Sequence, residues 1–156
     1  DVRVDTHVAS LDSPLGVLTL TEEGGRISAL RWGGLFSVTE TTPLLEAAKA
    51  QLLAYFAGDL RVFDLPLALG QGFQARFLAA LCDIPFGETQ TYGELAKGLG
   101  VSAQAIGQAC GANPLPVIVP CHRVLGAAGL GGYSGAGGVE TKVWLLRHEG
   151  AAGLLL

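Results

Sequence analysis

The sequence predicts an α+β protein in which a small antiparallel sheet with a covering helix precedes a mainly helical region. Three observations predict this architecture. Short segments with the pattern of strands, separated by turn residues, fill the chain from Val2 to Trp32. Apolar residues recur at helical spacing from Pro43 onward. A composition that is 49% hydrophobic and 15% charged is typical of a folded chain rather than a disordered one.

The first part of the chain, which we place at residues 1–70, is expected to form a scaffold of three strands and one helix. The strands are predicted at residues 2–4, 16–20 and 27–32, with turns at Ser13-Pro14 and at residues 23–25. Thr42 as N-cap, Pro43 as first helical residue and Gly58 beyond the end frame the helix. Its apolar face would cover the sheet and consists of Leu45, Ala48, Leu52, Tyr55 and Phe56. Residues 60–72 are predicted to be a linker.

The second part, residues 73–156, is expected to begin with an amphipathic helix that Pro85 ends. Two shorter helices are predicted at residues 92–99 and 102–112. The short break at Gly100-Val101 and the capping residue Ser102 indicate a helix-turn-helix. Small residues dominate the second of these helices. They are compatible with close helix packing or with a helix slim enough to enter a minor groove.

Charge and cysteine content restrict the kinds of partner. The net charge is −4. Residues 1–72 contain five Lys/Arg and nine Asp/Glu, which gives −4, and residues 73–156 contain five of each, which gives zero. A nucleic-acid-binding face in the second part would therefore make few Lys/Arg contacts with phosphate. Three cysteines without a CxxC pair predict neither a disulfide framework nor a zinc ribbon. The absence of a long apolar run or leader predicts a cytoplasmic protein without membrane contact.

The feature with the clearest chemical meaning is the pair Cys121-His122. A buried apolar run over residues 114–119 reads as a short strand that would place Cys121 at its end. A thiolate is the nucleophilic form of cysteine, and a basic neighbour favours it. On this pair alone, an inert buried cysteine or the nucleophile of a cysteine hydrolase are alternatives. Cys82 and Cys110 fall in helical patterns and are expected to be core residues.

Several motifs in order give the second part a resemblance to the O6-alkylguanine-DNA alkyltransferases, which accept an alkyl group on their own cysteine. The matching segments are Ile84-Pro85-Phe86-Gly87-Glu88, Thr91-Tyr92-Gly93-Glu94-Leu95-Ala96, Asn113-Pro114, Pro120-Cys121-His122-Arg123-Val124, Gly132-Tyr133-Ser134-Gly135 and Trp144-Leu145-Leu146-Arg147-His148-Glu149-Gly150. Together they extend from about Phe73 to Gly150.

The resemblance implies roles for individual residues. Cys121 would attack the alkyl carbon of a flipped nucleotide, His122 would take the thiol proton, and Glu149 would orient that histidine. Tyr92 would donate a proton to the leaving guanine, and Asn113 would brace the turn before the predicted strand. The remaining residues implied to contact DNA or the base are Ala103, Gln104, Ala105, Gly107, Arg123, Val124, Tyr133 and Ser134. Arg123 has an alternative as the partner of a local carboxylate.

The resemblance also implies a monomer that acts once on double-stranded DNA containing O6-alkylguanine, without a cofactor. Some relatives have zinc in an N-terminal region, but only His7 is available here, so no metal is expected. A non-catalytic reader of alkylated DNA is an alternative, although such relatives lack the cysteine. One position departs from the family: many relatives have arginine where this chain has Gln104.

Overall fold

The first unit of the computed structural model is a three-stranded antiparallel sheet with one helix. The structure describes residues 5–34, 38–133 and 135–151. Its strands are β1 (Thr6–Ser13), β2 (Gly16–Glu23) and β3 (Arg26–Trp32), in the order β1-β2-β3. Helix α1 (Pro43–Phe56) follows, and the Thr42 hydroxyl accepts a hydrogen bond from the Leu45 backbone N–H at 3.0 Å. The predicted sheet, helix and cap are confirmed.

Strand β1 is the element of the first unit that the sequence did not reveal. The predicted strand at residues 2–4 lies outside the described residues. The inward positions of β1, Ala9 and Leu11, alternate with polar residues such as Ser10 and Asp12. Alanine, serine and aspartate have weak strand preferences, so the alternation is faint, and pairing with β2 along the whole length of the strand determines its conformation.

The second unit begins at Leu69 and is mainly helical. Its helices are α2 (Gly72–Cys82), α3 (Tyr92–Leu99), α4 (Ala103–Gly111) and α5 (Val139–His148). The unit also contains two short strands, β4 (Gln90–Thr91) and β5 (Val124–Leu125), which pair with each other in parallel. Within the described ranges, no helix is long and apolar enough to cross a bilayer.

The predicted helix-turn-helix is present as α3 and α4. Gly100 ends α3 in the left-handed conformation, with φ of 71°, and its N–H bonds to the Ala96 carbonyl. The Ser102 hydroxyl then accepts a hydrogen bond from the Ala105 N–H at 3.1 Å and caps α4. A glycine at the C-terminal cap and a serine at the next N-cap are the local signals that define such a turn.

The predicted strand over residues 114–119 is wrong. The segment is a series of tight turns, and Val117 has a φ of 72°. The Ile118 N–H bonds to the Pro116 carbonyl at 2.9 Å, and the Val119 N–H bonds to the Leu115 carbonyl at 2.8 Å. Prolines cannot donate to a sheet ladder, so the chain satisfies its buried backbone groups within the turn. The apolar run was correctly identified as buried, but burial alone does not distinguish a strand from packed turns.

Two cysteine predictions also need correction. Cys82 is the last residue of α2 and is exposed rather than part of the core. Cys110 is half-buried on α4. Both lie on the edge of the apolar face of their helix, where spacing does not distinguish a core position from a boundary position.

Candidate active site

Cys121 lies at the start of a short 3₁₀ turn, Cys121–Arg123, that leads directly into β5. The parallel pairing of β5 with β4 places this turn beside the first residues of α3, because Gln90 pairs with Val124 and Thr91 with Leu125. Tyr92, the first residue of α3, therefore lies near Cys121, although the two are far apart in sequence. Cys121 is buried, with 6% of its surface exposed.

Asn113 holds the turn segment that precedes Cys121. Its side-chain amide donates to the Val119 carbonyl at 3.0 Å, and its side-chain oxygen accepts from the Leu115 N–H at 2.9 Å. Both ends of the turn are thus bonded to one side chain. Burial raises the pKa of Cys121, whereas a hydrogen bond from Asn113 and the charge of Lys142 act in the opposite direction.

Glu149, at the C-terminal cap of α5, forms the centre of a buried charge cluster. His122 Nε2 lies 2.8 Å from Glu149 Oε2. Arg123 donates to the same carboxylate from Nε at 2.8 Å and from Nη2 at 2.9 Å, and from Nη1 to the Ile84 carbonyl at 2.6 Å. Of the two alternatives for Arg123, the structure therefore shows the carboxylate partner. Its guanidinium makes three hydrogen bonds within the protein and is buried, so it is not presented to phosphate.

The protonation states in this cluster follow from its burial and from its internal hydrogen bonds. Burial alone would raise the pKa of Glu149, but hydrogen bonds from His122 and Arg123 outweigh it and lower the pKa to about 2. Burial lowers the pKa of His122, more strongly than Glu149 raises it. Histidine is therefore neutral at pH 7 and donates its Nε2 proton to the carboxylate. Its Nδ1 has no hydrogen-bond partner among the described residues, and its lone pair is available as a base.

A cavity of about 380 Å³ opens beside the sulfur of Cys121. It is lined by Tyr92, Gly107, Cys110, Gly111, Cys121, Gly132 and Tyr133. Its volume lies within the range of small-molecule pockets, which is roughly 300–1,000 Å³. Burial raises the pKa of the Tyr92 phenol and of Tyr133, so both hydroxyls stay protonated at neutral pH. Ser134, which follows Tyr133 and was expected to contact DNA or the base, lies outside the described residues.

Helix α4 contributes one wall of the cavity and also an exposed surface. Gln104, Gly107 and Gly111 follow one another at helical spacing along one stripe of the helix. Gln104 and Ala103 are exposed and Ala105 is half-exposed. At a rise of about 1.5 Å per residue, Gln104 lies roughly one turn from the cavity residue Gly107. The stripe thus joins the outer surface of the helix-turn-helix to the pocket that contains Cys121.

Lys142 is a site residue that the sequence reasoning missed. Its side chain is fully buried, and its ammonium donates to the carbonyls of Val124 at 2.6 Å, Leu130 at 2.5 Å and Gly132 at 3.0 Å. It also lies 5.9 Å from the centre of the Tyr92 ring. These bonds tie the glycine-rich loop at residues 129–133 to the backbone that follows Cys121. Val124 is one of the residues that the resemblance implies to contact DNA or the base, and its carbonyl is already an acceptor for Lys142.

A signal for Lys142 was present in the sequence. Lys142, Leu145, Leu146 and Glu149 recur at the spacing of one helix face, and all four are buried. A lysine on an otherwise buried stripe of a helix needs acceptors inside the protein. The acceptors lie 10 to 18 positions earlier in the chain and outside the helix, so the helical spacing predicts burial without revealing the partners.

Comparison with known proteins identifies the family. Residues 7–69 match the ribonuclease-like domain of 6-O-methylguanine DNA methyltransferase, and residues 72–151 match the DNA-binding domain of the same family. The chain belongs to this family. The resemblance noted from the motifs around Cys121 is thereby confirmed, and it extends to the N-terminal unit, which those motifs did not cover.

Individual members of the 6-O-methylguanine DNA methyltransferase family are similar over nearly the whole chain. The methylated-DNA–protein-cysteine methyltransferase of Mycobacterium tuberculosis is 46% identical over 153 residues, 92% of both chains. The constitutive protein of that name from Bacillus subtilis is 40% identical over 157 residues, 92% of this chain and 94% of the other.

Solved structures of the family have the same fold. The crystal structure of the Mycobacterium tuberculosis O6-methylguanine methyltransferase matches with a TM-score of 0.81 and 41% identity, covering 97% of both chains. The OGT protein of that organism in complex with DNA also matches with a TM-score of 0.81, at 45% identity and 93% coverage of both chains. The predicted α+β class is confirmed.

Proposed function

We propose that this protein repairs alkylated DNA by transferring the alkyl group from O6 of guanine to Cys121, once per molecule. The observation that supports this most directly is the placement of Cys121 on the wall of a base-sized cavity, next to the buried His122–Glu149 pair. The names of the family relatives and the DNA complex of one of them support the same activity. The partner is double-stranded DNA, and the protein acts as a monomer.

The reaction requires a thiolate, and the site contains a base to form it. His122 Nδ1 takes the Cys121 proton, directly or through a water, while Glu149 stabilises the resulting imidazolium. The sulfur attacks the alkyl carbon, the bond from that carbon to O6 breaks, and guanine leaves with the electron pair. Tyr92, whose phenol is protonated, is placed on the cavity wall to give that guanine a proton. The product thioether has no route back to a thiol, so each molecule reacts once.

Access to the base requires that the nucleotide leave the stack. Unstacking costs a few kcal/mol, and a group that occupies the vacated space offsets part of it. The exposed Gln104, one turn from the pocket on the same stripe of α4, is suited to this role. Helix α4 has no basic residue, and Arg123 and Lys142 are buried, so few Lys/Arg contacts with phosphate are available and backbone N–H groups make up part of the difference.

The function is tested by mixing the protein with a duplex that contains one O6-methylguanine and measuring intact-protein mass. We expect the addition of one methyl group per molecule and a single stoichiometric burst without further turnover. A shift in the electrophoretic mobility of the duplex without a change in the protein mass would indicate a non-catalytic reader. Steady turnover of an ester or amide substrate would indicate a hydrolase instead.

Replacing Gln104 by arginine is expected to raise the rate of transfer from duplex DNA, relative to the rate from free O6-methylguanine base, by roughly 10-fold. Arginine adds reach and a positive charge against a polyanion, and both act on the DNA rather than on the sulfur. Single-turnover rates on the two substrates give the ratio. Gln104→Glu keeps the size of glutamine but adds a negative charge, which DNA repels, and should lower the ratio. An unchanged ratio in both variants would show that residue 104 does not act on the DNA.

A further inference from the structure

The exposed face of α4 has two side chains that can form several hydrogen bonds, Gln104 and Gln108. Both are exposed, and they stand at positions i and i+4, one helical turn apart. Within the described part of the chain, neither side-chain amide has a hydrogen-bond partner. The proposed function gives a role to Gln104, whereas Gln108 has none in it.

The remaining residues of this face are small. Ala103, Gly107 and Gly111 are exposed and have at most a methyl group. An α-helix with its side chains is about 10–12 Å wide, whereas the minor groove of DNA is about 6 Å wide. A helix that presses into this groove must therefore be slim, and Gln108 is the exception among its small neighbours. A side chain of that length on this face would reach the floor of the groove.

The spacing of the two glutamines determines which base pair Gln108 would meet. Four residues at about 1.5 Å each separate Gln104 from Gln108 by about 6 Å along α4. Base pairs follow one another at about 3.4 Å along the duplex. With Gln104 in the space that the flipped nucleotide leaves, Gln108 lies over the base pair one or two steps away.

The amide of Gln108 contains both donors and an acceptor. In the minor groove, A·T and T·A pairs present only acceptors, and a G·C pair adds the N2 amino donor of guanine. On a G·C pair the side chain of Gln108 therefore finds two complementary partners, because its NH₂ donates to a groove acceptor and its oxygen accepts from N2. On an A·T pair its oxygen has no donor to meet.

We infer that Gln108 reads the base pair one or two steps from the alkylated guanine and favours G·C there. The inference rests on the proposed function and names the sequence context of its substrate. It adds no chemical step, since Cys121 remains the acceptor and Gln108 acts only by binding DNA.

The test measures single-turnover methyl transfer from duplexes that contain one O6-methylguanine. One neighbouring base pair at a time is changed from G·C to A·T, at one and two steps on each side of the lesion. Gln108→Met keeps the length of the side chain and a similar helix preference but removes the amide.

The quantity compared is the G·C-to-A·T rate ratio of the unmodified protein divided by the same ratio of the variant. Unstacking itself depends on sequence, but it affects both proteins alike and cancels in this quotient. We expect the quotient to be roughly 5- to 10-fold at one position, because two hydrogen bonds to a base pair are lost.

Gln71→Met is the matched control. Gln71 is an exposed glutamine at the N-cap of α2, outside α4, and its side chain makes no capping hydrogen bond. Its quotient should be one at every position. Transfer from free O6-methylguanine base should be unchanged in Gln108→Met, because Gln108 does not line the cavity beside Cys121.

The outcomes separate the inference from the function on which it rests. A quotient above one at a single position, absent in Gln71→Met, supports the inference. A quotient of one at all four positions, or one below one, overturns it and leaves the proposed function standing. A slower reaction of Gln108→Met with the free base overturns the role of Gln108 as a reader of DNA. Failure of the unmodified protein to transfer methyl from either duplex DNA or the free base overturns the proposed function itself.

Discussion

Replacing Cys121 by alanine is expected to abolish alkyl transfer, with a loss of more than about 10³-fold in single-turnover rate. The sulfur of Cys121 has both a hydrogen bond from Asn113 and a neutral histidine as its sequence neighbour. Cys110 shares the cavity, and burial raises the pKa of both thiols, but the sequence neighbours of Cys110 are Ala109 and Gly111, so it lacks the adjacent base that His122 gives to Cys121. The loss should therefore be complete rather than shifted to the second thiol.

The measurement is intact mass followed by peptide mapping after reaction with excess O6-methylguanine duplex. Cys82→Ala is the control, because Cys82 is exposed at the end of α2 and does not line the cavity. It should react with the stoichiometry and rate of the unmodified protein. A methyl group found on Cys110 at comparable yield would sink the assignment of Cys121 as the acceptor.

Replacing Glu149 by glutamine is expected to lower both the free energy of unfolding and the rate of transfer. The substitution removes the negative charge that compensates the buried Arg123 and that holds His122 by its Nε2. Breaking a buried ion pair by removing one partner typically costs about 3–5 kcal/mol. Without the carboxylate, the imidazolium formed when His122 takes the thiol proton is no longer stabilised, so the rate falls as well.

Urea unfolding and single-turnover rates measure the two effects separately. Glu140→Gln serves as the control, since Glu140 is an exposed residue in the first turn of the same helix. Glu149→Asp keeps the charge and should recover part of the rate. If Glu149→Gln unfolds with the free energy of the unmodified protein and reacts at its rate, the cluster has neither a structural nor a catalytic role.

The pH dependence of stability gives a further check on Glu149. Its pKa in the folded protein, about 2, lies below its ordinary value of 4.5. A depressed carboxyl pKa contributes stability that is fully present above the unfolded value and is lost as the pH falls through the folded value. The difference in unfolding free energy between the unmodified protein and Glu149→Gln should thus stay constant from neutral pH to about 5. It should shrink as the pH approaches 2.

Several elements of this fold follow from local sequence rules. Thr42 and Pro43 start α1, while Gly100 and Ser102 separate α3 from α4, and each acts through hydrogen bonds or backbone angles within a few residues. Such signals need no information about the rest of the molecule. The prediction that Cys121 is the acceptor also came from the sequence, because an ordered set of motifs surrounds it.

The tertiary structure decided which polar groups are buried and which partners they find. Arg123 bonds to a carboxylate 26 positions away, and Lys142 bonds to carbonyls of a loop that its own helix spacing cannot indicate. Residues 114–119 form turns rather than a strand because Asn113 and internal hydrogen bonds satisfy their backbone groups. Burial makes an unpaired polar group costly, so long-range packing selects the partners. Local sequence rules act within a helical turn or two and therefore could not supply them.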